Sequence, residues 1–298
     1  MNHKPLVSVI MNCYNSEEHL REAIESVLAQ TYSNWEIIFW DNQSTDSSAS
    51  IFQGYADPRC RYFRAERHTS LGEARELASE KAEGQWLAFL DCDDIWLPRK
   101  LELQLNLLDD GKSMPTFIYC RTKLLVMDSR NGEWTVAKGA QGRYENRMLP
   151  EGDVFEKLLD EMFPLFLSVL IRKDCYVSAG GMDPVFRQAE DLDLLLRLAR
   201  MGEAAVVQEC CCYYRIHGNN ITKKQRDLIY TETIAAMEKL GDDPLVKSAI
   251  RRTYARYFLY KLLRKMALQG APGLFGKFQL SDMVAVIYHK ALSMMRVF

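Results

Sequence analysis

Apolar and polar positions follow two periods along this chain, and the periods take turns. Leu6–Met11 is a continuous apolar run that predicts a buried strand, and Glu17–Ala29 follows with apolar residues at helical spacing. The succession recurs with Glu36–Trp40 as a strand, Thr45–Phe52 as a helix, Cys60–Arg64 as a strand, Leu71–Ala82 as a helix and Trp86–Leu90 as a strand that runs into Asp91. Four strands separated by helices predict an α/β fold with a mostly parallel central sheet flanked by helices.

The second half is less regular. A helix is expected from Pro98 to about Leu108, strands at Thr116–Met127, Leu165–Ile171 and Ala204–Arg215, and helices at Val154–Met162 and Asp191–Met201. Asn131–Gly152 is rich in glycine and charge without a clear period, which predicts a loop or an excursion lying over the site. From Gln225 the pattern is helical almost to the end, broken at Gly241–Pro244 and Gly270–Gly276. The expected division is therefore a catalytic domain over residues 1–222 and a helical region over 223–298.

Composition narrows the classes. The 298 residues are 48% hydrophobic, enough for a large core, and 38 Lys and Arg against 40 Asp and Glu leave no basic excess for a nucleic-acid partner. The amino terminus has no long apolar leader, and no run of about 18 uncharged apolar residues occurs, so the expected location is cytoplasmic with no membrane span. Eight cysteines lack metal-pair spacing and a secretory context; they are expected to be reduced, with Cys210, Cys211 and Cys212 in a buried strand.

The densest chemistry is Asp91-Cys92-Asp93-Asp94, carboxylates directly after an apolar strand, where open α/β sheets place their ligands. In an extended segment Asp91 and Asp93, about 6.5 Å apart, would face one ligand together, and hard oxygen donors suit Mg²⁺ or Mn²⁺. Alternatively, Asp91 and Asp94 merely cap the next helix. Arg75, one turn into its helix, points toward the carboxyl edge of the sheet, to meet a carboxylate or a diphosphate, or else lies in solvent.

Several motifs in order resemble the inverting family 2 glycosyltransferases. They are Val7-Ser8-Val9-Ile10 with Tyr14-Asn15, Asp41-Asn42-Gln43-Ser44-Thr45-Asp46, Leu71-Gly72-Glu73-Ala74-Arg75 and Asp91-Cys92-Asp93-Asp94. Gly180-Gly181-Met182-Asp183, Ala189-Glu190-Asp191-Leu192-Asp193 with Arg197, and Tyr214-Arg215-Ile216-His217 continue the series, so the likeness spans about Pro5 to Thr222. It implies a GT-A fold in which Tyr14 packs against a uracil-type base, Asp41 accepts from the base edge, Asp91 serves the ribose or nucleotide and Asp93 holds the metal. By residue type alone Tyr14 reads equally as a core aromatic and Asp41 as a turn former. Two departures stand out: Met11-Asn12-Cys13 where Pro-Thr is usual before Tyr-Asn, and Asp41-Asn42-Gln43 in place of Asp-Asp-Gly.

Inverting transfer needs a carboxylate to take the acceptor's proton, and Asp191 is the expected base with Glu190 beside it; both acids also favour the positive end of their helix. Arg215 and His217 alternate in an extended segment, the first expected at the diphosphate and the second, by resemblance, completing the metal site. The expected reaction moves one sugar from a UDP-sugar to a glycan or lipid-linked acceptor in cell-surface polysaccharide or lipopolysaccharide assembly. It is non-processive, because the Gln-x-x-Arg-Trp motif of the family's synthases is missing. The rival readings are a noncatalytic nucleotide-sugar-binding module and a metal-dependent nucleotidyltransferase; a Gly-rich phosphate loop is lacking near the first strand.

In the tail, Arg251, Arg252, Arg256, Lys261, Arg264 and Lys265 are interleaved with Tyr254, Tyr257, Phe258 and Tyr260, and Met283–Phe298 is a second apolar, weakly basic segment. That pattern fits peripheral contact with the inner face of an anionic membrane, packing on the catalytic domain, or a homo-oligomer.

Overall fold

The computed structural model describes residues 4–109, 114–128, 131–137, 144, 146–218 and 225–268. The chain divides into two compact units, Met1–Asn220 and Ile221–Phe298.

The first unit opens as the periodicity predicts: β1 (Val7–Cys13), α1 (Leu20–Leu28), β2 (Trp35–Asp41), α2 (Ser48–Gln53), β3 (Cys60–Arg64), α3 (Leu71–Ser79) and β4 (Trp86–Phe89). β5 (Ile95–Trp96), α4 (Lys100–Asn106), β6 (Phe117–Met127), β7 (Trp134–Ala137), α5 (Phe155–Asp160), β8 (Leu170–Arg172), α6 (Lys173–Ser178), α7 (Glu190–Met201) and β9 (Ala204–Ile216) follow. The sheet order is β3-β2-β1-β4-β8-β6-β9-β5, with β7 on β6.

β3, β2, β1 and β4 are parallel; β1, β2 and β4 are buried on both faces, while β3 at the edge is only partly buried. Beyond β4 the sheet is mixed. β8 runs antiparallel to β4 and β6, β5 antiparallel to β9 and β7 antiparallel to β6, while β6 and β9 pair parallel across an irregular register. The antiparallel members are only two to four residues long; such short returns need no helical crossover and leave little periodicity to read.

Three expectations change accordingly. The stretch 131–152, expected as a loop, contains β7; the strand expected at Leu165–Ile171 starts as a 3-10 turn at Phe166–Ser168; and β5 and α6 had no prediction. Ser168 makes that turn by donating its hydroxyl to the Leu165 carbonyl at 2.6 Å, a local bond that competes with strand pairing.

A buried acid locks the register at the amino ends of the parallel strands. Glu36 on β2 accepts the Ser8 hydroxyl of β1 at 2.6 Å and the Glu83 N–H at 2.7 Å, and Ser8 accepts the Gly84 N–H at 2.8 Å. A Cβ on Gly84 would strike the Leu6 carbonyl and the Ser8 nitrogen. With the amino ends fixed, the carboxyl ends deliver Tyr14, Asp41 and Asp91 to one edge of the sheet. None of the eight cysteines is in a disulfide; Cys211 and Cys212 are buried in β9 and Cys210 partly so.

The second unit holds α8 (Arg226–Glu238) and α9 (Pro244–Leu268). Tyr230 of α8 stacks on Tyr257 and Tyr260 of α9 at 5.2 and 5.6 Å, and Asp227 accepts from Lys261 and Arg264 at 2.9 and 2.8 Å. The apolar segment Met283–Phe298 and the break at Gly270–Gly276 lie outside the described residues. Among those described, no helix is long and apolar enough to cross a membrane.

Candidate functional site

The loops after β1 and β2 are stitched to each other. Asn15, at φ 49°, donates its N–H to Ser44 Oγ at 3.1 Å and accepts the Thr45 N–H at 2.8 Å. Asp46 accepts the Glu17 N–H from the other loop at 3.0 Å. Asp41 is fully buried beneath this joint: Oδ1 accepts the Ser44 N–H at 2.7 Å and Oδ2 the Tyr62 hydroxyl at 2.6 Å. It therefore forms the turn, with one further lone pair on each oxygen. Tyr14 is not a core aromatic. It is 51% exposed, with its ring 4.3 Å from that of His68, whose Nδ1 lies 2.9 Å from the Asn42 carbonyl. The Tyr14 and His68 rings and the Asn15–Ser44 seam thus lie together past the carboxyl ends of β1 and β2.

The acids after β4 do not lie in an extended segment. The Asp94 N–H bonds to the Asp91 carbonyl at 3.1 Å and closes a turn, so Asp91 and Asp93 take different partners. Asp91 receives Arg75 Nη2 at 2.7 Å; Asp93 Oδ2 lies 2.8 Å from His217 Nε2. Asp94 is buried and accepts the Arg215 N–H at 2.8 Å. Burial first, and then the neighbouring Asp91 charge, raise the Asp93 carboxyl while His217 pulls it down; burial followed by Asp93 and Asp91 push Asp94 well above the usual range.

Arg75 is the hinge pin of this arrangement. Buried on α3 and lying 4.9 Å over the Phe166 ring, it reaches Asp91 with one nitrogen and Glu190 Oε1 with the other at 3.1 Å. It meets two carboxylates, the first of the partners its position suggested. Its neighbour Glu76 holds the loop before α7, accepting the Tyr176 hydroxyl at 2.6 Å and the Met182 N–H at 2.7 Å. Gly180 and Gly181 there have φ of 88° and 66°, and a Cβ on Gly181 would collide with the Glu76 carboxylate. Arg197 adds bonds to Asp193 at 2.5 Å and to the Gly181 carbonyl at 2.8 Å.

Two acids therefore stand at the start of α7 with α3 behind them. Glu190 is buried, and burial, helped by the Asp191 charge and opposed by Arg75, pushes its carboxyl up to about 7. Asp191 is partly exposed and accepts the Leu192 N–H at 2.7 Å; burial raises its carboxyl and the Arg75 charge holds it back.

Arg215, expected at a diphosphate, is fully buried. Nε donates to the Asp93 carbonyl at 2.8 Å, Nη2 to Glu22 at 2.8 Å, and the guanidinium carbon lies 4.5 Å from the Trp134 ring. Arg215 and His217 both bond to Asp93, the first at its carbonyl and the second at its carboxylate.

Among the described residues, no group of three or more His, Cys, Asp or Glu is arranged to hold a metal. Asp93 and His217 offer one hard oxygen and one imidazole in contact at 2.8 Å. That donor pair fits a divalent ion completed by phosphate and water. Sequence reasoning missed Tyr62, His68, Glu76, Glu22 and Trp134; the partners of each lie far off in the chain, and no local spacing signals them.

Comparisons with known proteins identify the family and the fold. The family model described as Glycosyl transferase family 2 matches residues 8–158. Over 252 residues the chain is 36% identical to an Escherichia coli protein, the UDP-Glc:alpha-D-GlcNAc-diphosphoundecaprenol beta-1,3-glucosyltransferase WfgD, covering 84% of this chain and 90% of that one. It is 30% identical to the putative teichuronic acid biosynthesis glycosyltransferase TuaG of Bacillus subtilis, covering 75% and 84%. Among solved structures, S. aureus TarS 1–349 in complex with UDP-GlcNAc superposes with a TM-score of 0.65 at 16% identity, covering 96% of this chain and 79% of that one. The mannosyltransferase PcManGT of Pyrobaculum calidifontis, in complex with GDP-Man and Mn²⁺, gives 0.64 at 16% identity, covering 100% and 88%.

Proposed function

The chain belongs to glycosyl transferase family 2, and from that premise we propose an inverting, metal-dependent enzyme that moves one sugar from a UDP-sugar to a hydroxyl of a glycan or lipid-linked acceptor. Membership and the GT-A fold make it a glycosyltransferase with relatives in bacterial surface-polysaccharide synthesis. The observation that carries the finer reading is the Arg75 bridge, which ties Asp91 after β4 to Glu190 at the start of α7. A nucleotide lying across Asp91 would have its sugar end toward Asp191.

In this reading Tyr14, with His68 behind it, supports the base, and Asp41 and Asn15 shape its pocket. Asp191 takes the proton of the acceptor hydroxyl as that oxygen attacks the anomeric carbon. The bond from that carbon to the diphosphate breaks with its electron pair leaving on the nucleoside diphosphate, so the configuration inverts. Asp93 and His217 would hold Mn²⁺ or Mg²⁺, which when bound neutralises charge on the diphosphate. Glu190 and Arg75 keep Asp191 and Asp91 in register, and Arg215 fixes the Asp93 main chain.

The acceptor named for the Escherichia coli relative is undecaprenyl-linked, which supports a lipid-linked acceptor here. The exposed Tyr254 and Phe258 between Arg251 and Lys261 on α9 support peripheral contact with an anionic membrane from its cytoplasmic side. We assign the helical unit that role ahead of self-association.

Calorimetric titration of UDP and UDP-sugars, with and without Mn²⁺, tests the donor site. UDP binding that requires Mn²⁺ in the wild type and is lost in Asp93→Ala is the expected result. UDP binding unaffected by metal and by Asp93→Ala would overturn the metal assignment, and absence of binding under every condition would overturn the donor.

A further inference from the structure

The start of α1 and the end of β9 meet in two pairs. Glu22 accepts Arg215 Nη2 at 2.8 Å, and His19, three residues earlier, sets its ring edge-on to His217 with centroids 5.5 Å apart. Residues three apart at a helix start and two apart on a strand share a face, so one contact aligns the other. Above both pairs lies Trp134. Its ring is 4.5 Å from the Arg215 guanidinium and 5.7 Å from the His19 ring, at 82°. Thr135 and Val136 of the same strand are exposed, so the tryptophan alone of these three turns inward.

What the cover protects is specific. Arg215 holds the Asp93 carbonyl through Nε and the Asp94 carboxylate through its N–H, and His217 holds the Asp93 carboxylate. His19 is buried with its Nε2 lacking a hydrogen bond. Glu18 Oε1 lies 3.7 Å from that nitrogen, and the ring packs between Trp134 and His217.

We propose that Trp134 is a positioning residue: together with His19 it braces Arg215 and His217, and through them sets Asp93 for a divalent cation. The inference rests on the metal-dependent reading of the site and adds to it a residue carried by the β6–β7 hairpin. Removing the ring would admit water to the guanidinium and release the imidazole, while Tyr14, Asp41 and Asn15 keep their own partners. The loss should therefore fall on cation affinity and spare the base.

The test is Mn²⁺ binding, followed by the electron paramagnetic resonance of the free ion at saturating UDP, for wild type, Trp134→Ala, Trp134→Leu and Trp134→Phe. Groups behind a ligand typically change metal affinity by roughly 10–100-fold, and a loss at the low end of that range is expected for alanine. Phenylalanine, which keeps an aromatic face, should restore most of it; leucine, which keeps only apolar cover, should not, and it serves if the alanine variant fails to fold. Mn²⁺ affinity equal to wild type in the alanine or leucine variant would overturn the brace alone. Absence of Mn²⁺ binding by the wild type would overturn the metal-dependent reading, and the brace with it.

Discussion

Glu190 is a buried acid beside a buried base, and the balance between them sets a pH dependence. Its carboxyl, ordinarily at 4.5, is pushed up to about 7 by burial and then by Asp191, against the pull of Arg75. A carboxyl raised on folding binds its proton more tightly in the native state. Its contribution to stability is full below the unfolded value and is lost as pH rises through 7. Between about pH 5 and about pH 8 the wild type should therefore lose stability relative to Glu190→Gln, by on the order of 1 kcal/mol or roughly 2–4 °C. Thermal melts of the two proteins across that range check it, and parallel curves would count against a raised Glu190. Which residues carry charge was legible in the sequence, because each of Asp41, Asp91 and Glu190 follows or opens a strongly patterned element. Whom they meet was less so. Spacing cannot announce that Glu190 answers Arg75 across 115 positions, or that a turn at Asp91–Asp94 sends neighbouring acids to separate partners.

Long elements with a single period were readable, and short ones were not. β1, β2 and β4 announced themselves because they are mostly apolar and buried on both faces, whereas β5 has only two residues and β7 is half-exposed. α3 illustrates what periodicity leaves out. Its inward residues do not simply fill a core: Gly72 lets Glu190 approach, Arg75 bridges two acids, and Glu76 holds the Gly181-Met182 backbone. Gly181→Ala would combine a left-handed backbone, costing about 1–2 kcal/mol, with a collision against Glu76. A fall in melting temperature of at least roughly 3–5 °C is expected, with a drop in kcat as the start of α7 shifts. Retention of both wild-type values would show that the α3–α7 joint is slack.

At the scale of the whole molecule, the catalytic reading belongs to residues 1–220 and the membrane reading to 221–298. On α9, Lys247, Arg251, Tyr254, Phe258 and Lys261 are exposed and recur at three- and four-residue steps, cations flanking two aromatics on one stripe. Co-flotation with vesicles containing anionic phospholipid is the expected outcome for the wild type, and Tyr254→Ser with Phe258→Ser should abolish it. Wild-type protein remaining entirely in the soluble fraction would sink the membrane assignment and turn attention to self-association.

The Arg75 bridge has a consequence for the birth of the protein. At a synthesis rate of about 5–20 residues per second, β1, β2, β3 and β4 leave the ribosome seconds before Glu190, and Arg215 emerges later still, 193 positions after its partner Glu22. The nascent first half can pair its strands, yet its acid turn and its buried arginine stay wet until α7 and β9 arrive. These contacts are thus the last of this unit to form, and a polypeptide released early would hold Arg75 and Glu22 without the partners that α7 and β9 bring.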